Sequence, residues 1–306
     1  MTKSANPSPY FLEEPSIQTV PMVFASPHSG RFYPAQFLQQ SQLSHLELRR
    51  SEDAHVDDLF DFVPALGAPF IKANYARSYV DPNREPMELD ATMFEDRLPS
   101  NANLNSERVA AGFGTIPRLA FLGKEIYDHK LSFEEESKRL RNVYQPYHQA
   151  LATLIARTRE KFSWAVLIDC HSMPSLKPLQ SQRSQVRDSK IKKSVFVEDP
   201  DFILGDCYGE SCSPLLTSLV EEQISSFGYH TRRNNPYSGG YCTRFYGCPD
   251  NNIHALQIEI SRQLYWDEER HCLKQDSFIQ LREHLRVICK SLVAIDLSDT
   301  IASAAE

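Results

Sequence analysis

The sequence predicts an α/β fold: a single domain with a mixed, mostly parallel central sheet flanked by helices. Three observations carry that prediction. Short apolar runs such as Val20-Pro21-Met22-Val23-Phe24-Ala25 and Trp164-Ala165-Val166-Leu167-Ile168 read as buried strands. Such runs alternate along the chain with longer stretches whose apolar residues recur at helical spacing, the pattern of a sheet covered by helices. The two runs also end alike, in Ser26-Pro27-His28-Ser29-Gly30 and in Asp169-Cys170-His171-Ser172-Met173. Two strands thus deliver a His-Ser pair at their carboxyl ends, where open α/β sheets place their ligands.

Taken in order, the first strand covers residues 20–26. The stretch from Leu43 to Leu66 then carries Leu46, Val56, Leu59, Phe60 and Val63 at helical spacing, and Pro69-Phe70-Ile71-Lys72-Ala73 reads as a second strand. Ser78-Tyr79-Val80 reads as a short extended piece ahead of Asp81-Pro82-Asn83-Arg84. From Glu88 to Leu122 the chain is rich in Asn, Gly, Ser and Pro, and a loop region of that length points to a site. Ser132-Phe133-Glu134-Glu135 resembles a capping box. It opens a helix whose stripe runs through Leu140, Val143, Tyr144, Tyr147, Leu151, Leu154 and Ile155. The strand at 164–168, a polar loop, a helix from Pro214 to Phe227, a Gly-rich turn, a strand from Ala255 to Ile260 and a helix from Gln275 to Leu292 complete the alternation. No repeat or low-complexity linker divides the chain, so residues 1–306 read as one domain, with flexible ends at 1–15 and 294–306.

Composition narrows the function. A formal charge of −7 lacks the basic footprint that nucleic-acid binding needs, and the Lys/Arg-rich stretch from Lys177 to Lys193 reads as a solvated loop. Seven cysteines, Cys170, Cys207, Cys212, Cys242, Cys248, Cys272 and Cys289, show no CxxC spacing, which argues against both a disulfide framework and a thiolate metal site. No apolar run approaches the ~18 residues of a membrane span, and the polar, Pro-rich start lacks a signal-peptide core. A protein of the reducing cytoplasm is expected. The sequence sets no oligomeric state.

The two strand-end histidines, His28 and His171, can share one metal ion. A catalytic zinc site takes three protein ligands and keeps a fourth position open, so a third ligand is required. Glu52-Asp53-Ala54-His55-Val56-Asp57-Asp58 is the natural supplier. On a helix Asp53, Val56, Asp57 and Phe60 share one side while Glu52 and His55 share the next, and either side could supply the ligand. Asn83-Arg84, presented by the Asp81-Pro82 turn, suits a carboxylate, because Arg offers a bidentate fork and Asn a directed hydrogen bond. Arg118 and Arg244 are candidates for a second carboxylate. Glu259, in the alternating strand His254 to Arg262, is placed as general base for a water activated by the metal, the alternative being an ion pair with Arg262 or Arg244. The segment from Asn234 to Tyr241 has the composition of a substrate-closing loop, with no helix expected after it to cradle a phosphate.

These residues form a series: Ser26-Pro27-His28-Ser29-Gly30, Asp53-Ala54-His55-Val56-Asp57, the stretch from Ala76 to Arg84, Pro146-Tyr147-His148, Asp169-Cys170-His171-Ser172, Gly239-Gly240-Tyr241 and Gln257-Ile258-Glu259. The series resembles the N-formylglutamate amidohydrolase family in order and across nearly the whole chain, from about Pro21 to Trp266. The resemblance implies a fold related to the zinc carboxypeptidases and aspartoacylases. It also implies metal-dependent cleavage of N-formyl-L-glutamate, a small N-acyl amino acid, to formate and glutamate in histidine breakdown. By motif His28 and His171 fall on metal positions, with Asp53 the choice for the acidic ligand and Glu52 and His55 behind it. One Zn2+ ion is implied. Glu259 falls on the general-base position, Arg84 on the position that binds the substrate carboxylate, and Asn83, Arg118, Tyr241 and Arg244 complete the expected substrate contacts. Pro82 stands where the family would have leucine, and the basic segment from Lys177 to Lys193 is a further departure. A related deacylase or carboxypeptidase-like hydrolase, and a non-catalytic metal-binding module, are the alternative readings.

Overall fold

A computed structural model describes residues 7–175 and 199–294; the basic segment from Lys177 to Lys193 and nearly all of the expected C-terminal tail lie outside them. Among the described residues seven strands form one sheet in the order β1-β3-β2-β4-β7-β5-β6. They are β1 (Tyr10–Glu13), β2 (Met22–Ser26), β3 (Phe70–Ala73), β4 (Ala165–Met173), β5 (Phe202–Gly205), β6 (Thr231–Arg233) and β7 (Ile253–Ser261). β3, β2, β4 and β7 run parallel, while β1 and the β5-β6 pair run against their neighbours β3 and β7. A two-stranded ribbon, β8 (Trp266–Asp267) with β9 (Cys272–Leu273), follows the sheet. The mixed, mostly parallel α/β architecture expected from the sequence is therefore the one observed.

Period-2 alternation sorts each central strand onto two cores. Met22, Phe24, Phe70, Val166, Ile168, Leu204 and Leu256 pack on one face with residues of α3 (Val56–Leu59), α7 (Pro214–Ser225) and α9 (Gln275–Val293). Val23, Ala25, Ile71, Ala165, Leu167 and Ala255 pack on the other with Tyr147, Leu151, Leu154 and Ile155 of α6 (Gln145–Phe162) and Cys242 and Tyr246 of α8 (Tyr241–Tyr246). Every residue of β4 is buried, which is why its apolar run is continuous rather than alternating. A satellite core of Tyr33, Phe37, Leu48, Leu89, Met93, Ile116 and Ile126 lies beneath the long excursion between β3 and α5 (Phe133–Arg139). Arg139 ties that excursion down: fully buried, it donates to the Tyr79 carbonyl (2.9 Å) and the Tyr127 hydroxyl (2.8 Å).

Several local expectations are corrected. The stretch from Leu43 to Leu66 is not one helix but α2 (His45–Arg49), α3 and a 3₁₀ turn at Val63–Leu66. His55 adopts a left-handed φ of 58° between the first two, which ends any common helical face for residues 52–58. Ser78-Tyr79-Val80 is a hydrogen-bonded turn, with Tyr79 and Val80 N–H donating to the Ala76 carbonyl, rather than an extended piece. Ser132 makes no cap; its hydroxyl donates to Asp96 (3.0 Å), and a capping box forms instead at Ser44 with Glu47. Residues 10–13, within the tail expected to be flexible, form β1, because Tyr10 to Glu13 find unpaired backbone on β3. Between β3 and α5 the chain adds two short helical turns and α4 (Glu107–Ala110); β2 and α2 are separated by α1 (Ala35–Gln40). Between α5 and α6 lies a π-helical turn at Leu140–Tyr144, just ahead of Pro146, which has no N–H to give. All seven cysteines are free, and no described helix is long and apolar enough to cross a membrane.

Leu167, wholly buried beneath α6, tests the packing of that layer. Leu167→Ala is expected to cost about 2–5 kcal/mol in a urea unfolding titration, the range for large-to-small core substitutions. A loss below about 1 kcal/mol would show that this face of β4 is not closely packed.

Candidate active site

The chain steps from β2 to β3 on one side, then returns across the sheet to place β4 on the other side of β2. That reversal opens a crevice beyond the carboxyl ends of β2 and β4. The same alternation that turns Ala165 and Leu167 toward α6 turns the next alternate residues, Asp169 and His171, onto the same face further along. On β7 Ala255 is followed likewise by Gln257 and Glu259, and the register pairs Asp169 with Gln257 and His171 with Glu259. His28 lies two residues past β2. The Asp53 N–H donates to its carbonyl (3.0 Å), which brings the turn between α2 and α3 over the end of that strand.

Side chains of His28, Asp53 and His171, all buried, converge so that one ligand atom from each lies within 4.8 Å of the others. His28 Nε2 donates to Asp81 Oδ1 (2.6 Å), which leaves Nδ1 as a bare lone pair. That Nδ1 has no hydrogen-bond partner among the described residues and stands 3.5 Å from Asp53 Oδ2, itself 2.9 Å from His171 Nδ1. With the ring neutral, two lone-pair atoms face each other there, an arrangement that a proton or a metal cation between them relieves. His171 Nε2, on the far side of its ring, is 3.0 Å from Asp169 Oδ1. Each imidazole therefore has one nitrogen toward the cluster and the other toward a buried carboxylate, the usual support of a metal-binding histidine. Among the three candidates for the third ligand only Asp53 lies beside both histidines. Glu52 accepts from Tyr33 Oη (2.8 Å) and Arg49 Nε (3.2 Å), and His55 turns to Asp58 (2.6 Å).

Charge explains how these groups stay buried. Asp53 Oδ1 faces Arg77 Nη1 (3.3 Å) and Arg262 Nη2 (3.2 Å), and the Ser172 N–H donates to Oδ2 (3.2 Å). Burial alone would raise the Asp53 and Asp81 carboxyls; the imidazoles and arginines around them outweigh it and hold both well below the usual range. Burial likewise disfavours a charged His171 ring, yet Asp169 and Asp53 lift its affinity for a proton well above the ordinary value. A field that favours a proton there favours any cation. Glu259 differs: burial pushes it up to about 7, with His171 opposing and Asp53 reinforcing the rise. Its Oε1 accepts from Gln257 Nε2 (2.8 Å), so the expected alternative, an ion pair with Arg262 or Arg244, is not formed among the described residues.

Asn83 is engaged on every side. Its Oδ1 accepts from the Cys242 N–H (2.7 Å), and Nδ2 donates to Asp169 Oδ2 (3.1 Å) and stands 2.9 Å from His171 Nε2. The expected absence of a helix after the Gly-Gly pair is thus overturned: α8 begins there, and the Asn83 carboxamide occupies its first turn. A Cβ on Gly240 would lie 2.3 Å from Asn83 Nδ2, so glycine is required for that approach. His148 Nε2 donates to the Pro82 carbonyl (2.8 Å) and Tyr144 Oη to the Arg84 carbonyl (2.7 Å), which fixes the turn from the α6 side. Burial pushes His148 down to about 4, so it serves as a neutral donor.

A cavity of about 460 Å³ opens over the cluster, with His28, Asp53, Arg84, His171 and Glu259 on its wall. The excursion between β3 and α5 contributes Arg108, Phe113, Pro117, Leu119, Phe121 and Leu122, which places the Asn- and Gly-rich segment at the site. Three expected substrate contacts are off the wall. Arg118 is drawn to Asp90 (2.8 Å) and Glu125 (3.3 Å); Tyr241 stacks on Phe245 and meets His148 edge-on; Arg244 lies behind the Gly239 carbonyl (3.4 Å). Arg77, Asp81, Arg108 and Gln257 were not foreseen, and Arg262 only as a partner for Glu259. For Arg77 and Asp81 the signal was present in their i, i+4 spacing inside the Ala76 to Arg84 motif, now an ion pair of 2.9 Å.

The sequence model of the N-formylglutamate amidohydrolase family matches residues 20–266. An N-formylglutamate deformylase of Pseudomonas aeruginosa is 30% identical over 280 residues, 90% of this chain and 93% of that protein. The Pseudomonas putida protein of the same name is 29% identical, covering 88% and 92%. The crystal structure of N-formylglutamate amidohydrolase from Ralstonia eutropha JMP134 superposes with a TM-score of 0.80 at 32% identity, over 94% of this chain and 98% of that one. With the family's sequence matched across six of the seven strands and the site, the chain belongs to the N-formylglutamate amidohydrolase family.

Proposed function

We propose that this protein hydrolyses N-formyl-L-glutamate to formate and L-glutamate, using one divalent metal ion, zinc by donor type, held by His28, Asp53 and His171. The observation that carries the reading is the buried His28 Nδ1 lone pair aimed at Asp53 and His171 at the floor of a cavity that also holds Glu259 and Arg84. Its support includes the relatives' names, which specify the same substrate. Two imidazoles and a carboxylate, each with a buried second partner, suit zinc with a position left open. The bound ion would supply Lewis acidity to the formyl carbonyl.

The chain's own residues do the rest. Glu259 takes the proton of the attacking water and returns it to the leaving amine, and its raised proton affinity suits a group that must do both near neutral pH. Gln257 holds the carboxylate in position by its 2.8 Å hydrogen bond. Arg84 receives the substrate α-carboxylate; its Nε donates to the Phe113 carbonyl (2.7 Å) and its Nη1 to the Asn83 carbonyl (2.8 Å), while Nη2, 3.8 Å from Asp81, has no close partner and is the end left for the carboxylate. Asn83 positions His171, Asp169 and α8 and is a support for the site more than a substrate contact. Arg77 and Arg262 keep Asp53 ionised and aimed. The free thiols fit a reducing compartment, and the cytoplasm is the proposed location.

Three outcomes are expected. His171→Ala should lose both stoichiometric metal, read by elemental analysis, and turnover of N-formyl-L-glutamate; full metal retention would remove His171 from the ligand set. Glu259→Gln should stay folded and metal-loaded while kcat falls roughly 100-fold or more, the scale of general acid-base groups. Near-normal kcat in that variant would make Glu259 structural. Arg84→Lys keeps charge without the fork, so kcat/KM should fall by about 10-fold or more with metal content unchanged.

A further inference from the structure

Of the arginines on the cavity wall, Arg77 and Arg262 pair with Asp53, and Arg84 leans on Asp81. Arg108 differs. It stands on α4, its Nη1 is buried with no hydrogen-bond partner among the described residues, and its Nη2 reaches only the Gly239 carbonyl at 3.5 Å. Arg244 Nη1 points at the same carbonyl from 3.4 Å, so two guanidinium groups crowd one neutral acceptor. Neither has an acidic side chain within ion-pair distance among the described residues; Glu88 and Asp81 act on Arg108 only from further away. Burial, with Arg84 and Arg244 beside it, pushes Arg108 down to about 10. The Gly239 carbonyl is set by a φ of 134°, and a Cβ there would meet Cys207 Sγ at 2.7 Å, so the shared acceptor is a fixed feature.

Like charges gathered beside a cavity, with donors left unpaired, are stabilised by an anion bound between them. Arg84 is already assigned to one carboxylate, and Arg108 is its cationic neighbour on the same wall. We propose that Arg108, backed by Arg244, binds the side-chain carboxylate of the substrate and so makes the enzyme selective for N-formyl derivatives of acidic amino acids over neutral ones. The proposal rests on the hydrolytic reading above and assigns a specificity residue to it. Arg50 is the competing cation: it also lines the cavity and pairs with no acid among the described residues, but its charge acts on His271, whereas Arg108 acts with Arg84 and Arg244.

The test compares kcat/KM for N-formyl-L-glutamate and N-formyl-L-glutamine, which differ only in the side-chain charge, in wild type and in the Arg108→Gln, Arg108→Lys and Arg50→Gln variants. Wild type should prefer the glutamate compound by about 100-fold, since an unpaired buried guanidinium penalises the neutral analogue. Arg108→Gln should bring the ratio to within about 3-fold of unity, Arg108→Lys should leave an intermediate ratio, and Arg50→Gln should keep the wild-type ratio. A merely structural role for Arg108 would lower both rates together and leave the ratio intact, which overturns the proposal, as does collapse of the ratio in Arg50→Gln alone. Calorimetric binding of L-glutamate against L-glutamine to the same proteins separates the two readings. If wild type turns over neither formyl compound, the hydrolytic reading fails; loss of glutamate preference in Arg108→Gln would still uphold the carboxylate subsite, and its persistence would refute it.

Discussion

One carboxylate holds the site together. Asp53 is buried, and an ionised carboxylate in that position costs several kcal/mol unless it is paired on both oxygens. Oδ1 is paired by Arg77 and Arg262, and Oδ2 meets His171, His28 and the Ser172 N–H. Those partners come from the loop after β2, the turn after β3, the end of β4 and the residue after β7. A single charge therefore brings the ends of four parallel strands together. Removing either arginine would leave that buried anion with one guanidinium in place of two.

The sheet makes this possible by direction. Because β2, β3, β4 and β7 run parallel, all their carboxyl ends lie on one edge, and the step from β3 back to β4 opens the crevice there. β4 and β7 are long enough for their shared face to change character along its length. Ala165, Leu167 and Ala255 are apolar under α6; Asp169, His171, Gln257 and Glu259 are polar beyond it. Core and site are consecutive parts of one face.

The turn from Asp81 to Arg84 gives the second layer its rigidity. Asp81 holds His28 in one tautomer, Asn83 spans Asp169 and α8, and the backbone of Pro82 and Arg84 is held by His148 and Tyr144 from the π-helical turn and α6. Pro82 itself fits this arrangement, since a residue without an N–H leaves its carbonyl as the only group to satisfy. Arg84 emerges from that scaffold onto the wall of the same cavity as the histidines. Site precision here comes from hydrogen bonds to backbone carbonyls as much as from the side chains on the wall.

Strand-borne parts of the candidate site were legible in the sequence: apolar runs followed by polar residues identify β2 and β4, and alternation identifies β7, and with them His28, His171 and Glu259. Pairing a proline turn with Asn83-Arg84 likewise needs only local chemistry. Short strands such as Phe202–Gly205 and Thr231–Arg233 carry too few residues to show a period, and β1 exists only because β3 offers it an open edge. That Asp53, and not Glu52 or His55, lies beside the two histidines turned on the left-handed residue at 55 and on a backbone hydrogen bond from Asp53 to His28, neither of which is a property of composition or spacing. The same holds for the arginines. Sequence alone determined that the chain is an α/β domain with two histidines and a glutamate toward strand ends, because apolar runs and strand alternation are local. Only the tertiary structure decided which charges meet, sending Arg118 to Asp90 and Arg108 to the cavity, because ion pairing depends on distances that the chain sets by folding.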